Sequence, residues 1–230
     1  MKLGIIGAME SEVETLVKQL KHAKQINYAA ATYYEGELEG IEAVVVRCGI
    51  GKVNAALCVQ TLCDIFHVSH VVNTGIAGSL NAQLDIGDFV ISEDAMYHDV
   101  DCCNFGYQAG QMPGMPVSFT ADAILKDVAV RAAEAVCPGH SRIGRVASGD
   151  QFVCSKELKN KIIDITGALC TEMEGAAIAH ASYRNEIPFV IIRAISDKAD
   201  DSAEMDYPTF EALAAERCAA VVLAFAAMLK

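Results

Sequence analysis

Residues 169–197, LCTEMEGAAIAHASYRNEIPFVIIRAISD, contain the pattern that decides the fold class. The stretch begins as a strand end that turns into a helix of small residues, and from Phe189 it continues as an almost unbroken apolar strand. A strand, a helix and a second buried strand in this order are typical of an α/β sheet. Arg193 interrupts the second strand, and a buried charge costs several kcal/mol unless it is paired. We therefore expect Glu174, Arg193 and Asp197 to converge on one another or on a ligand.

Strand and helix patterns alternate over the rest of the chain as well. Strands are predicted at 2–6, 31–38, 41–47, 70–73, 87–97 and 142–147, and helices at 10–20, 52–66, 121–136, 155–164 and from about 208. Together they predict one domain over residues 1–230, a three-layer α/β/α fold with a central mixed, twisted sheet. Ligands of such sheets bind beyond the carboxyl ends of the strands, where glycine-rich turns are expected at 7–8, 49–51, 75–78 and 149–150.

Composition and charge exclude several classes of protein. The 230 residues are 53% hydrophobic and 21% charged, which is typical of a globular domain with a large core. A net charge of −12, without any basic stripe, argues against nucleic acid as a partner. No apolar stretch reaches the ~18 residues of a membrane span, and the chain begins directly with a strand instead of a signal peptide. We expect a cytoplasmic protein.

Nine cysteines raise the question of disulfides or a metal site. They are odd in number and show no C-x-x-C spacing, and most stand in apolar runs. We expect reduced thiols in the core and no metal site; the cysteines are residues 48, 58, 63, 102, 103, 137, 154, 170 and 218.

Three short motifs admit both a functional and a structural interpretation. Residues 4–8 lack the G-x-G-x-x-G spacing of dinucleotide sites, and residues 49–53 lack the gap and the hydroxyl residue of a P-loop. Residues 4–8 and 49–53 are therefore predicted to form tight turns before helices. Residues 98–101, His-Asp-Val-Asp, could ligate a metal, but nothing at suitable spacing completes the set. Hydrogen bonding within a loop is the favoured interpretation there.

Residues 98–119 form a long loop rich in glycine, proline and apolar side chains. Loops of this length are usually functional, and several exposed apolar side chains in one loop indicate an interface.

Acidic residues stand where the sheet should bind its ligand. Glu10, Glu12 and Glu14 open the first helix, where acids commonly serve the helix dipole, yet Glu12 could point inward. Asp197 ends a core strand. Three carboxylates around one pocket suggest acid–base chemistry through a cationic transition state, as in glycosidic bond cleavage.

Six motifs occur in order and carry a family resemblance. They begin at Gly4 (GIIGAME), Gly49 (GIGKVNAA), Asn73 (NTGIAG), Ser148 (SGDQF), Glu172 (EMEGAA) and Arg193 (RAISD). Together they resemble the 5′-methylthioadenosine/S-adenosylhomocysteine nucleosidases of the nucleoside phosphorylase family, over residues 2 to about 228. The resemblance implies a nucleoside phosphorylase-like fold and hydrolysis of an N-glycosidic bond without a metal or organic cofactor.

The resemblance also implies three catalytic residues. Asp197, positioned by Ser196, would donate a proton to ring nitrogen 7 of the leaving adenine. Glu174 would hold the ribose hydroxyls and stabilise the oxocarbenium-like sugar, with electrostatic support from Arg193. Glu12 would take a proton from the attacking water.

The remaining roles concern binding. Adenine would lie beside Phe152 and Val153, and a loop from a second subunit would complete the pocket, which implies a homodimer. The implied contacts are Met9 and Met173 along the sugar, Ile50, Met173 and Tyr207 at the alkylthio group, and Phe105 and Pro113 in the neighbouring subunit's pocket.

Three residues depart from the family pattern. Ile76 replaces a frequent serine, Tyr207 a common phenylalanine and Cys102 a common valine. The preference among methylthioadenosine, S-adenosylhomocysteine, 5′-deoxyadenosine and futalosine-type nucleosides therefore stays open.

Water is favoured over phosphate as the acceptor. Related phosphorylases place arginines around the phosphate, but none stands near 73–75 or within 7–20, and only Arg47 remains a candidate. Glu12 on the nucleophile side would repel phosphate and activate water. The alternatives are a phosphorolytic transferase and a catalytically silent nucleoside-binding or sensing protein.

Overall fold

A mixed sheet with helices on both faces forms the centre of the molecule in the computed structural model, which describes residues 1–200 and 203–229. Its strands are β1 (Lys2–Gly7), β2 (Lys21–Tyr28), β3 (Ala31–Leu38), β4 (Ile41–Arg47), β5 (His70–Ser79), β6 (Phe89–Tyr97), β7 (Phe119–Thr120), β8 (Ser141–Ser148), β9 (Cys170–Glu172) and β10 (Phe189–Asp197). The helices are α1 (Glu10–Gln19), α2 (Lys52–Asp64), α3 (Ala123–Val136), α4 (Lys156–Thr166), α5 (Gly175–Arg184) and α6 (Ala203–Met228).

Two apolar clusters lie on opposite faces of this sheet. Helices α1, α3 and α6 pack against one face, and α2 and α5 pack against the other. The order of the strands is β10-β6-β8-β9-β5-β1-β4-β3-β2, and β10 also pairs with β5. The predicted three-layer fold with a mixed sheet is therefore confirmed.

The parallel strands bring the predicted functional segments to one edge of the sheet. Strands β4, β1, β5 and β10 run parallel to their neighbours in that series, so their carboxyl ends lie together. The first turn of α1, the segment before α2 and the end of β10 all leave the sheet at that edge.

Apart from the short strand β7, which was not predicted, three elements differ from the sequence prediction. Strand β5 continues to Ser79, so the glycines at 75 and 78 lie within a strand and not in a terminal turn. Helix α6 begins at Ala203 and includes Pro208 in its second turn. Proline is typical of a first turn, which made residue 208 resemble the start of the helix.

The third difference is β2, which the sequence pattern did not reveal. It is the outermost strand and is mostly exposed, so it lacks the apolar alternation that predicts a strand. It pairs with β3 through a register shift between Lys21 and Lys24.

The cysteines are free thiols, as predicted, but only Cys58, Cys170 and Cys218 are buried, and Cys103 is exposed. Within residues 1–200 and 203–229, no helix has the length and apolarity that crossing a membrane requires.

Candidate active site

A cavity of about 450 Å³ opens at the carboxyl edge of the sheet. It is bounded by most of the predicted site residues, which are Met9, Glu12, Ile50, Ile76, Phe152, Val153, Met173, Glu174, Ser196, Asp197 and Tyr207. Residues that the sequence prediction did not include complete the wall: Ala8, Ala77, Gly78, Gln151, Thr171 and Glu172. The size suits a small organic ligand.

Glu12 is buried at the first turn of α1 and is held by three backbone amides. The amides of Ala8 and Met9 donate to Oε2 at 2.6 and 3.0 Å, and the amide of Ile76 donates to Oε1 at 3.0 Å. Burial raises the pKa of Glu12, while Arg193 and these amides oppose the shift. The result is a precisely oriented carboxylate that is more basic than an exposed one.

Arg193 sits behind the cavity wall among several acceptors. It donates to Glu172 and, at 2.6 Å, to Asn73 Oδ1, and it lies 3.6 Å from Glu174 Oε2 and 3.8 Å from Glu12 Oε1. Burial disfavours the charged guanidinium, but the three carboxylates outweigh it and raise the pKa of Arg193. Arg193 therefore remains charged and holds the acids in place; it does not line the cavity.

Glu172, to which the sequence pattern assigned no role, is a buried hydrogen-bond acceptor in the structure. It accepts hydrogen bonds from Ser148 Oγ, from Arg193 and from the amides of Glu174 and Gly175. These contacts fix the turn between β9 and α5, so Glu174 enters the cavity from a rigid support.

Glu174 is a buried carboxylate held close to its neighbours Glu172 and Arg193. Gly51 N donates to its Oε1 at 2.9 Å. Burial and then Glu172 raise the pKa of Glu174 to about 7, against the opposing effects of Arg193 and Gly51. A cation placed beside this carboxylate would favour its charged form.

Asp197 lies at the end of β10 and does not share the partners of Arg193. Its hydrogen bonds come from Ser196 Oγ to Oδ2 and from Ala199 N to Oδ1, both at 2.8 Å. Burial raises the pKa of Asp197, and Asp206 and Asp200 add to the shift. Asp197 and Glu174 therefore line the same cavity, as expected. Of these two carboxylates, Arg193 pairs with Glu174.

Part of the cavity lining is apolar and aromatic. The rings of Phe152 and Tyr207 meet edge to face with centroids 5.5 Å apart, and Tyr207 Oη donates to Met9 Sδ at 3.1 Å. Phe152 lines the cavity and is 47% exposed, so it offers aromatic surface to a planar ligand.

Gly75 allows the cavity acids and Arg193 to approach the backbone of β5. A Cβ at this position would overlap with both Arg193 Nη1 and Glu12 Oε1. The glycine of the Asn-Thr-Gly motif is therefore required by the packing of the charged cluster.

Two further predicted site residues lie outside this cavity. Phe105 is 81% exposed and Pro113 is also exposed, both in the loop between β6 and β7. Arg47, the remaining candidate for a phosphate contact, is exposed and lies 3.3 Å from Glu10. No lysine or arginine of the described residues lines the cavity.

The candidate metal motif at 98–101 forms loop contacts instead. Asp99 binds Lys52, and Asp101 Oδ1 accepts from Cys103 N at 3.1 Å. Over the described ranges, no group of three or more His, Cys, Asp or Glu side chains is arranged to hold a metal ion.

Comparison with known proteins gives consistent similarities. Residues 2–227 match the model of the phosphorylase superfamily. The chain is 41% identical over 225 residues to the 5′-methylthioadenosine/S-adenosylhomocysteine nucleosidase of Halalkalibacterium halodurans, and the match covers 97% of this chain and 96% of the relative.

Solved structures agree with that similarity. The nucleosidase of the same name from Neisseria meningitidis, in complex with methylthio-immucillin-A, superposes with a TM-score of 0.96 at 39% identity and 99% coverage of both chains. The futalosine hydrolase of Helicobacter pylori superposes with a TM-score of 0.93 at 30% identity, over 98% of this chain and 97% of the other.

Proposed function

This chain belongs to the phosphorylase superfamily and, within it, to the 5′-methylthioadenosine/S-adenosylhomocysteine nucleosidase family, and on that premise we propose that it hydrolyses both nucleosides. The products would be adenine and the corresponding 5-thioribose. A cavity that combines four buried carboxylates, Glu12, Glu172, Glu174 and Asp197, with the half-exposed ring of Phe152 and no lysine or arginine among its described lining supports this activity.

Asp197 is the proposed general acid. Adenine is a poor leaving group as an anion, and protonation at ring nitrogen 7 makes it neutral. An acid for this step must still hold its proton near neutral pH, and the raised pKa of Asp197 favours the protonated form. The hydrogen bond from Ser196 Oγ fixes the carboxyl group for the transfer.

Glu174 and Glu12 are the proposed partners of the sugar and the water. Charge develops on the ribose ring as the bond breaks, and an adjacent carboxylate stabilises that charge. Glu174 is suited to this role and to binding the ribose hydroxyls. Glu12 would accept the proton of the attacking water, because its raised pKa makes it a stronger base than an exposed glutamate.

The choice of water over phosphate rests on the absence of cations from the described cavity wall. Phosphate would need positive charge in the cavity, whereas Arg193 is 1% exposed and already engaged with Glu172 and Asn73. Glu12 and Glu174 would repel a phosphate dianion, but they would orient a water molecule.

The 5′ substituent would extend along Ile50, Met173 and Tyr207. These side chains offer apolar surface to an alkylthio group, and Ile50 is 54% exposed at the cavity mouth. An open mouth leaves room for the longer homocysteine substituent.

The assay for this function measures adenine release from methylthioadenosine with and without phosphate. We expect equal rates in both conditions, because water is the acceptor. Strict phosphate dependence with a ribose-1-phosphate product would instead show a phosphorylase. Binding without release under either condition would show a nucleoside-binding protein.

We also propose that the enzyme is a homodimer in which Phe105 and Pro113 complete the neighbour's cavity. Phe105 is the most exposed of the large apolar side chains described, and Val53 and Leu57 on α2 are 71% and 60% exposed. Val53 and Leu57 are four residues apart and share one helical face, so α2 presents exposed apolar side chains to a second copy.

Light scattering at micromolar concentration tests the dimer. We expect a mass twice that of the chain, because the exposed apolar face needs a second copy to cover it. A monomer with full activity would contradict the shared cavity.

A further inference from the structure

Three segments around the cavity meet at the side chain of Lys52, the first residue of α2. Its Nζ donates to Asp99 Oδ1 and Oδ2 at 2.8 and 2.7 Å and lies 3.7 Å from Asp150 Oδ2. Two hydrogen bonds from backbone amides add to these contacts: Lys52 N donates to Asp150 Oδ1 at 2.9 Å, and Asp150 N donates to Asp99 Oδ2 at 3.0 Å. Lys52, Asp99 and Asp150 form a triangle. Each of the three residues is thus joined directly to the other two.

The Lys52–Asp99 pair is partly shielded from water, which strengthens this ion pair, whereas the side chain of Asp150 is 50% exposed. The side chains of Lys52 and Asp99 are 23% and 19% exposed, and the ring of Tyr97 lies 5.3 Å from the ammonium group. Burial opposes the charge of Asp99, but Lys52 and the amide of Asp150 lower its pKa overall. Asp99 is therefore ionised under ordinary conditions.

Each corner of the triangle adjoins a segment with a proposed role in the cavity. Lys52 follows Gly51, whose amide holds Glu174 at 2.9 Å. Asp150 comes two residues before Phe152 in the proposed adenine site, and Asp99 opens the loop that carries Phe105.

The three segments are also closely packed at their glycines. A Cβ on Gly149 would overlap with the ring of His98. Gly51 has a φ of 98°, and a Cβ there would lie 3.1 Å from Asp150 Oδ1. The three segments therefore approach one another through glycines and are joined by one ammonium group.

We propose that Lys52 is a positioning residue for the substrate cavity, because its ammonium group binds Asp99 and Asp150 and so holds three cavity segments in one arrangement. This inference rests on the proposed function. It also assigns a role to a sequence motif that the proposed reaction does not use, the His-Asp-Val-Asp segment.

The test compares Lys52→Met, Asp99→Asn and the double variant by steady-state kinetics with methylthioadenosine. We expect KM to rise about tenfold in each single variant with kcat within about twofold, because loosened segments weaken binding more than chemistry. The double variant should lose little more than Lys52→Met alone, since Asp99→Asn weakens an ion pair that Lys52→Met already removes. Lys126→Met is the matched control, because Lys126 is 20% exposed and pairs with Glu93 at 2.7 Å outside the cavity.

Hydrogen exchange of the same variants gives a readout that does not depend on activity. Lys52→Met should accelerate exchange of the amides in 98–101 and 149–153 as well as in 50–53, while Lys126→Met should not. Faster exchange in 50–53 alone, an unchanged KM, or multiplied losses in the double variant would overturn the proposal. Failure of the wild type to release adenine would refute the proposed function, and the exchange data would still decide whether the three segments are coupled.

Discussion

Replacing Asp197 with asparagine should lower kcat by ~10²–10⁴-fold, the range that a general acid contributes. The amide cannot donate an acidic proton to the leaving base. The fold should tolerate the change, since the amide oxygen of the new side chain can still accept from Ala199 N, as Asp197 Oδ1 does at 2.8 Å. The hydroxyl of Ser196 can turn to accept from the new amide, because Ala77 O lies 3.4 Å away as an alternative acceptor.

Kinetics, substrate-analogue binding and thermal unfolding of Asp197→Asn together test this role. We expect the loss in kcat with nearly unchanged binding and melting temperature. Asp85→Asn is the control, since that exposed carboxylate only pairs with Lys198 at 3.0 Å. Equal losses in binding and turnover would remove the proton-donor role from Asp197.

Glu12→Gln should reduce both turnover and stability. Turnover should fall by ~10²–10⁴-fold, because the amide cannot accept the proton of the attacking water. Stability should fall by about 1–3 kcal/mol, because glutamine offers one acceptor oxygen where the carboxylate binds three backbone amides on two oxygens. At least one buried backbone amide would then face the donor group of the new side chain.

Glu10→Gln provides the matched comparison on the same helix. Glu10 is an exposed carboxylate that lies 3.3 Å from Arg47, so its loss should leave turnover and unfolding unchanged. Denaturant unfolding and kcat are measured for both variants. If Glu12→Gln kept wild-type turnover, another group would have to activate the water.

The family resemblance and the fold class predicted from the sequence are confirmed, and the reasons are physical. Buried strands such as β1, β4 and β10 are continuous apolar runs, and amphipathic helices such as α1 have a clear period. Glu12 and Asp197 lie at one edge because the parallel strands β1 and β10 end there. Strand β9, which precedes Glu174, instead runs antiparallel to β5 and reaches the cavity by pairing with the last residues of that strand. The catalytic roles of these three residues stay predictions.

Contacts between distant segments could not be predicted in the same way. The sequence pattern assigned no role to Glu172, and only the folded structure, in which β9 lies beside β5 and β8, shows that Arg193 binds it directly. The Lys52–Asp99 pair joins residues 47 positions apart, and no local period signals such a contact. The exposed strand β2 was missed because a strand without a buried face has no apolar alternation.

That outer strand has a consequence for solubility. One side of β2 pairs with β3, and its other side presents backbone donors and acceptors that could extend the sheet into another molecule. The strand carries Lys21, His22 and Lys24, and its irregular register with β3 falls within that basic stretch. Basic side chains and a bulge are the features by which natural sheets prevent unwanted edge pairing. Strand-to-strand aggregation through this edge of the sheet is thereby disfavoured.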